Sequence, residues 1–500
     1  MGRRRERGRT SARPPAPVHE AATAGALRAW RPETVAVLGG LALVLFLMRL
    51  VSNAVGWWGM LRYPAELNIG EGVTLFEAKR LAAGQPIYKP VDEPPYWFAT
   101  YPPLYQWFVS LWVDAGLAWG RALSLGASAA NGILAGLAVW RLGGGRLASA
   151  LAVLIWLTSP YTDYWTAAAR VDMLGRALAS ASVCCVIGRT GRWPWLWAGV
   201  VLASLAMMTK QTMVAGGLAC VLILLLESRL RATVFGAAWL SLTLAGYGAL
   251  TLATGGHFWR NVFGDIARST QWSLMMQFVG GFVQVHAPLL LASAVAIAGG
   301  WRQPGVRRAT CVALAGVPHL LLTGNDGADV NYFFDVVWGL AVLSTAGMGA
   351  AHGAPRWQGP LAGVFVLAGA LMSVALLEPL RGPTPEQEAA ARRITEILRR
   401  AGPPVQSEFV GYTLAAGGEP DYLPYMYRLL EERGVWNSAP IVGRIERREY
   451  HAILVTSRAP ARWGRSILDA LERYYEPAEV FRGTYIIEGP DDQILYRPRR

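Results

Sequence analysis

Residues 63–105, YPAELNIGEGVTLFEAKRLAAGQPIYKPVDEPPYWFATYPPLY, decide how this chain is read. They lie between two strongly apolar regions and carry Glu66, Glu71, Glu77, Lys79, Lys89 and several prolines. Such groups do not lie unpaired in lipid, so the stretch is expected to form an aqueous loop. It is more than a linker. Gly70-Glu71-Gly72 sets one acid between two residues that let the backbone come close to a ligand. A helix is expected over residues 73–83, with Gly84 as its stop signal, and Tyr101-Pro102-Pro103 leads back to apolar sequence. An ordered, acid-bearing loop at a membrane surface points to a site where water-borne and lipid-borne substrates meet.

The surrounding composition agrees. The 500 residues are 53% hydrophobic and 16% charged, and apolar runs near or above bilayer-spanning length recur along most of the chain. The fold class expected is an all-α polytopic membrane bundle with a small C-terminal α/β extramembrane domain. The first run, residues 34–57, follows the basic leader MGRRRERGRTSARPP. It is long and ends in Trp57-Trp58, which reads as a retained anchor rather than a signal peptide. The leader, residues 1–32, is expected to be disordered and cytoplasmic. Topology explains its arginines, and no nucleic-acid partner is inferred.

The net charge of +13 rests on 44 Arg against 3 Lys, which makes Lys79, Lys89 and Lys210 informative. Cys184, Cys185, Cys220 and Cys311 lie inside apolar runs without metal-ligand spacing and read as small buried hydrophobes. Arginines beside short loops (Arg141 and Arg146; Arg189 and Arg192; Arg229 and Arg231; Arg302, Arg307 and Arg308; Arg356) mark one face as cytoplasmic. The alternate loops, 63–105, 161–170, 208–211, 255–277 and 324–329, then fall outside. Parity requires that residues 104–119, which contain Asp114, lie at the interface or re-enter without crossing. About eleven spans remain: 34–57, 122–141, 147–160, 171–188, 194–209, 211–226, 233–252, 279–299, 308–323, 331–348 and 359–377. Residues 33–380 form this transmembrane domain. Residues 255–277 are amphipathic enough for a second surface helix.

From about Arg381 the pattern changes. Thr384-Pro385-Glu386 opens a helix as N-cap, Pro at N1 and an acid in the first turn. Short strand-like and helical stretches then alternate, so residues 381–500 are expected to form an external α/β domain with a partly parallel sheet. No nucleotide-binding motif is present. Asp421, Glu408 and Glu419 are read as solvated loop residues.

Three further clusters fall on the outer face. Ala169-Arg170-Val171-Asp172 sits at the mouth of a span, where ionisable groups usually face a cavity or a partner; a self-contained Arg170–Asp172 pair is the plainer account. Met208-Thr209-Lys210-Gln211 places a rare lysine in an apolar hairpin. It either snorkels to headgroups or holds a lipid phosphate. Gly324 to Tyr332 is a polar cluster that turn chemistry alone would explain. His257 is read as a lone surface histidine.

The order GEG, helix, G-x-x-x-Y, YPPLYQ, then ARVD, MTKQT and NYFF resembles the GT-C superfamily of polytopic glycosyltransferases. The branch it resembles holds protein O-mannosyltransferases and lipid A aminoarabinose transferases, and the likeness covers residues 34 to 377. It implies a membrane glycosyltransferase of the cytoplasmic membrane. A polyprenyl-phosphate sugar lipid would be the donor and a protein, lipid or glycan the acceptor. Carried over by position, Glu71 and Asp172 are the catalytic acids and Arg170 and Lys210 hold the donor phosphate, with Tyr101, Asn331 and Tyr332 as substrate contacts. Family members often carry two adjacent acids in this loop, whereas here glycines flank a single Glu71. A divalent metal is therefore doubtful and no cofactor is assigned. The chemistry suits these residues: fixed cations stabilise the leaving phosphate, and a buried Glu71 accepts the proton of the attacking hydroxyl. A transporter or flippase of a lipid-linked sugar, or a surface polysaccharide polymerase or ligase, is the competing reading. An inverted-repeat transporter would show matched broken helices in two halves, and no such repeat is visible.

Overall fold

The computed structural model describes residues 32–264, 270–325, 327–349, 355–487 and 489–500; all but the last residue of the basic leader lies outside them. The chain enters through α1 (Pro32–Arg62), whose 31 residues give about 46 Å of rise, more than a bilayer core. The loop that follows holds α2 (Ile69–Ala82), α3 (Leu104–Ser110) and a 3₁₀ turn (Val113–Ala115). The bundle continues with α4 (Leu117–Arg141), α5 (Arg146–Thr158), α6 (Val171–Val186), α7 (Trp193–Thr209), α8 (Ala215–Leu225), α9 (Arg229–Ala253), α10 (Trp272–Gly300), α11 (Pro304–Gly316), α12 (Phe334–Ala346) and α13 (Gln358–Ala375). Among the described residues, α1, α4, α9, α10 and α13 are long and apolar enough to cross a membrane. Each of the eleven expected segments contains a helix. Several are short, such as α8 with 11 residues.

Residues 104–119 do not form a span. They hold a seven-residue helix and a 3₁₀ turn before α4 begins, and about 10 Å of helix is too short to cross. Trp107, Leu111 and Trp112 are about half exposed there, the composition of an interfacial segment. Residues 255–277 differ from the expected surface helix. His257–Trp259 and Arg260–Gly264 form one irregular helical turn, residues 265–269 lie outside the description, and Trp272 already opens α10.

Small residues bring the helices together. A Cβ on Gly216 would stand 2.7 Å from that of Ala179, and one on Gly339 would stand 2.6 Å from the Ala313 Cα, so only glycine permits these approaches. The arginine-flanked turns gather at one end of the bundle: Arg308 pairs with Glu227, which also accepts a hydrogen bond from Thr190. The loop of residues 63–105 lies at the other.

On that second end sits the C-terminal unit. It contains α14 (Pro385–Ala401), β1 (Val405–Ser407), α15 (Val410–Ala415), α16 (Pro424–Glu432), α17 (Ala439–Glu446), β2 (Ala452–Thr456), α18 (Arg465–Tyr474), β3 (Tyr475–Thr484) and β4 (Asp491–Pro498). Thr384 caps α14 in a capping box with Gln387. The sheet order is β1-β2-β4-β3, with β1 and β2 parallel and the other pairs antiparallel, so the expected mixed sheet is present. The loop adds backbone pairing to this unit. Tyr96 N donates to Asp421 O at 2.6 Å, Leu423 N donates to Tyr96 O at 3.2 Å, and Ile487 N donates to Leu67 O at 2.8 Å.

Candidate active site

Loop, bundle and C-terminal unit enclose a cavity of about 670 Å³. The α2 region supplies Asn68, Gly70, Thr74 and Glu77, and the return strand supplies Phe98, Thr100 and Tyr101. The bundle supplies Trp165, Arg170, Lys210, Gln211, Asn331 and Tyr332. The C-terminal unit closes the far side with Leu423, Tyr425, Met426, Arg428, Ala461 and Arg462. Five residues singled out from sequence (Tyr101, Arg170, Lys210, Asn331, Tyr332) therefore share one wall. Glu71 and Asp172 do not line it.

Arg170 and Asp172 are not a self-contained pair. Arg170 precedes α6 and turns toward α2, with Nη1 donating to Asn68 Oδ1 and Nη2 to Tyr101 Oη, both at 3.3 Å. Its guanidinium also lies 5.4 Å from the Trp165 ring centroid. Asp172, in the first turn of α6, is fully buried and accepts from Lys210 Nζ at 2.7 Å and from Asn331 Nδ2 at 2.9 Å. Lys210 is buried as well, with its ammonium 4.8 Å from the Tyr332 ring centroid. A snorkelling lysine would have its head in water; this one is held by a carboxylate at the cavity edge.

Glu71 occupies a different kind of site. Oε1 accepts from Arg121 Nε at 3.0 Å and Ala169 N at 2.7 Å; Oε2 accepts from Arg121 Nη2 at 2.6 Å and Leu67 N at 2.7 Å. Four donors fill a carboxylate's acceptor positions. Arg121 is equally saturated, donating also to the carbonyls of Met60, Tyr63 and Ala65. The glycines flanking Glu71 are explained by neighbours rather than by a ligand. The helix begins at Ile69 rather than at residue 73, with Asn68 Oδ1 accepting from Gly70 N. A Cβ on Gly70 would strike the Arg170 guanidinium, and one on Gly72 the Glu66 carboxylate and the backbone of Gly411.

Glu77 is a buried carboxylate that faces the cavity, which Asp329 also lines. Glu77 Oε1 accepts from Trp97 Nε1 at 3.3 Å and its Oε2 from Gln106 Nε2 at 2.9 Å. Burial pushes its carboxyl up to about 7, against the downward pull of these two donors and of Arg170. Glu66 is buried too and accepts from Gly411 N at 2.5 Å. Burial raises it well above the usual carboxylate range, against the Gly411 amide and with the Glu71 charge. Glu408, read from sequence as a solvated residue, is fully buried. It accepts from Thr456 N and Oγ1, Arg462 Nη1 and Trp463 Nε1, which anchors the segment that brings Ala461 and Arg462 to the cavity.

Sequence reading passed over Arg121, Arg428 and Arg462, and gave Glu77 no part in the site. For Arg121 a signal existed: a charge inside an otherwise apolar span needs a partner. Among the described residues no group of three or more His, Cys, Asp or Glu is arranged to hold a metal ion, and no step is assigned to one.

No protein-family model matches the chain, and no curated protein matches it in sequence. Solved structures do match in shape. ArnT from Cupriavidus metallidurans in the apo state superposes at TM-score 0.57 and 13% identity, covering 90% of this chain and 97% of that one. The same protein bound to undecaprenyl phosphate gives TM-score 0.57 at 12% identity and the same coverage. The Archaeoglobus fulgidus oligosaccharyltransferase in the apo form gives TM-score 0.52 at 11% identity, covering 92% of this chain and 74% of that one. The chain shares the fold of these structures. At these identities the likeness is one of architecture, and the chemistry must be argued from this chain's own residues.

Proposed function

We propose that this chain is a membrane glycosyltransferase that moves a sugar from a polyprenyl-phosphate-linked donor to a hydroxyl acceptor at the outer face of the cytoplasmic membrane. One observation carries the reading: a single cavity holds Arg170 and Lys210 on its bundle side, Arg428 and Arg462 on the side of the C-terminal unit, and a buried carboxylate, Glu77, whose pKa burial pushes up to about 7. The structural relative solved with undecaprenyl phosphate supports a lipid-linked donor.

In this reading Lys210 and Arg170 hold the donor phosphate, and Asp172 with Asn331 aims the lysine. The acceptor oxygen attacks the anomeric carbon as the bond from that carbon to the phosphate oxygen breaks. The acceptor proton passes to Glu77, and the electron pair of the broken bond leaves with the polyprenyl phosphate, whose added charge the cations stabilise. Attack opposite the leaving group inverts the anomeric centre. Glu71 takes no proton. It fixes Arg121 and the Ala169 amide, and so the position of Arg170 beside it.

Orientation belongs to the same proposal. Eleven segments cross, with the N-terminus and the arginine-flanked turns in the cytoplasm and residues 63–105 and 381–500 outside. An impermeant thiol reagent should label cysteines placed at exposed Asp92 and Glu419 in intact cells; labelling only after membrane disruption would reject this orientation.

The decisive assay supplies purified protein in lipid with a polyprenyl-phosphate sugar and an envelope extract, and reads glycosylated products by mass spectrometry. A new glycosidic linkage that depends on Glu77 is the expected result. Movement of intact donor across the bilayer without a new linkage would establish the flippase reading instead.

A further inference from the structure

One helical turn further from the cavity, a second buried charged layer repeats the Asp172–Lys210 arrangement. Arg176 follows Asp172 at i + 4 in α6, and Asp335 follows Asn331 at i + 4, so each lies directly below its counterpart. Arg176 is ion-paired with Asp335, and its Nε donates to Ser180 Oγ at 3.1 Å. His319 Nδ1 stands 2.7 Å from Asp335 Oδ2. The other ring nitrogen, Nε2, donates to the carbonyl oxygen of Thr212, two residues beyond Lys210, so the contact between Nδ1 and the carboxylate holds the ring when a second proton, on the imidazole or on Asp335, lies between them. All three side chains are buried, and none of them lines the cavity.

This layer grips the segment on which Lys210 depends. Helix α7 ends at Thr209 and α8 begins at Ala215, so Lys210 stands on a short turn between two helices. The turn has little of its own to fix it: Met213 N donates to Lys210 O and Val214 N to Thr212 O. Lysine is a point charge on a flexible four-carbon stem, so the place of its ammonium is set by where that turn is held. Two side chains tie it to other segments: Gln211 Nε2 donates to the Thr100 carbonyl at 3.1 Å, and His319 joins Thr212 to the Arg176–Asp335 pair.

We infer that His319 is a positioning residue for Lys210: by clamping the Thr212 carbonyl to the Arg176–Asp335 pair, it fixes the ammonium at the height where the donor phosphate binds. The inference rests on the proposed role of Lys210. It assigns a function to a buried charge cluster that the reaction itself does not use.

The test titrates polyprenyl phosphate into the purified full chain in nanodiscs and follows tryptophan fluorescence, since Trp165 lines the cavity. His319→Ala should weaken binding about tenfold, the usual scale for losing a contact that orders a charged group. In a Lys210→Ala background the same change should cost less than about twofold, because residues acting as one unit are not additive. His319→Gln, whose amide still donates to Thr212, should recover most of the affinity. Asp335→Asn keeps the shape and serves if His319→Ala does not fold; it should lose about threefold, again only when Lys210 is present. Equal losses in both backgrounds would overturn the inference, as would unchanged affinity in His319→Ala and Asp335→Asn. A wild-type chain that does not bind polyprenyl phosphate, or a Lys210→Ala chain that binds it normally, would instead fail the phosphate site itself and carry this inference with it.

Discussion

The two ends of helix α2 treat their carboxylates in opposite ways. Near the N-terminus, Glu71 meets a guanidinium and two backbone amides and is closed on every side. Near the C-terminus, Glu77 meets two neutral donors and a cavity. Both are buried, so burial alone does not distinguish a structural acid from a chemical one. The charge of the partners does. A full ion pair keeps a carboxylate charged and occupied, whereas indole and amide donors leave desolvation to raise the pKa toward the range where a base works. Inertness at one end also serves reactivity at the other, because Glu71 holds the Ala169 amide from which Arg170 reaches the cavity.

The comparison is most exposed at Glu77. Glu77→Gln preserves the shape and the acceptor for Trp97, and a flip of the Gln106 amide, whose oxygen has no other partner, restores the second hydrogen bond. It cannot take a proton, so turnover should fall by a factor of about 10²–10⁴ while donor binding persists. The wild-type rate should rise with pH through about 7, as the carboxyl loses its proton, and the Gln variant should lack this limb. Near-normal transfer by the purified Gln variant would remove Glu77 from the mechanism.

Glu71→Gln should break something else. It leaves Arg121 buried without its charge partner, a change worth about 3–5 kcal/mol of stability. Thermal unfolding should show the loss, while turnover per folded molecule falls far less than in Glu77→Gln, by the shift in Arg170 alone. A Glu71→Gln protein that melts normally but transfers no sugar would exchange the roles of the two acids.

That exchange of roles marks the limit of what could be read from the chain. The bundle helices were legible because their apolar lengths are local properties, and residues 104–119 could be demoted by parity and charge. Lys210 and Arg170 stood out because lysine is rare here and both interrupt apolar runs. The distinction between Glu71 and Glu77 was hidden because it depends on partners remote in sequence. Arg121 lies 50 positions beyond Glu71 and Ala169 lies 98 beyond it. One local sign was available: the Asn68-x-x-Glu71 spacing is a helix-start signature, which would have put both glycines in the first turn. Glu408 was misjudged for the same reason, since its donors come from residues 456, 462 and 463.

Lys210 lies between the two acids in expected effect. Removing a charge-assisted contact to a sheltered anion typically costs about 1.5–3 kcal/mol. Lys210→Ala should therefore lower donor kcat/KM by about ten- to a hundredfold with stability less affected than in Glu71→Gln. Its pH profile should keep the limb near 7, since Glu77 is intact. Loss of that limb in the lysine variant would show that the two groups titrate together.

The smallest expected effect is at Glu66, which tests whether the contrast extends to the junction with the C-terminal unit. Its carboxyl accepts from the Gly411 amide, at the start of α15, and burial raises its pKa well above the ordinary value. A carboxyl raised by folding is favoured in its neutral form. The stability it contributes is complete below the unfolded pKa of about 4.3 and is lost as pH rises through the folded one. Docking of α15 on the loop should therefore loosen as the solution becomes more alkaline. Glu66→Gln imitates the neutral carboxyl, keeps an acceptor for Gly411 and cannot ionise, so it should hold the junction closed across that range. Hydrogen exchange of the Gly411 region between pH 6 and 9, corrected for intrinsic rates, should show protection falling in the wild type and flat in the variant. Parallel curves would mean that Glu66 is held by its surroundings in one protonation state throughout, and that the junction does not share the pH response expected of Glu77.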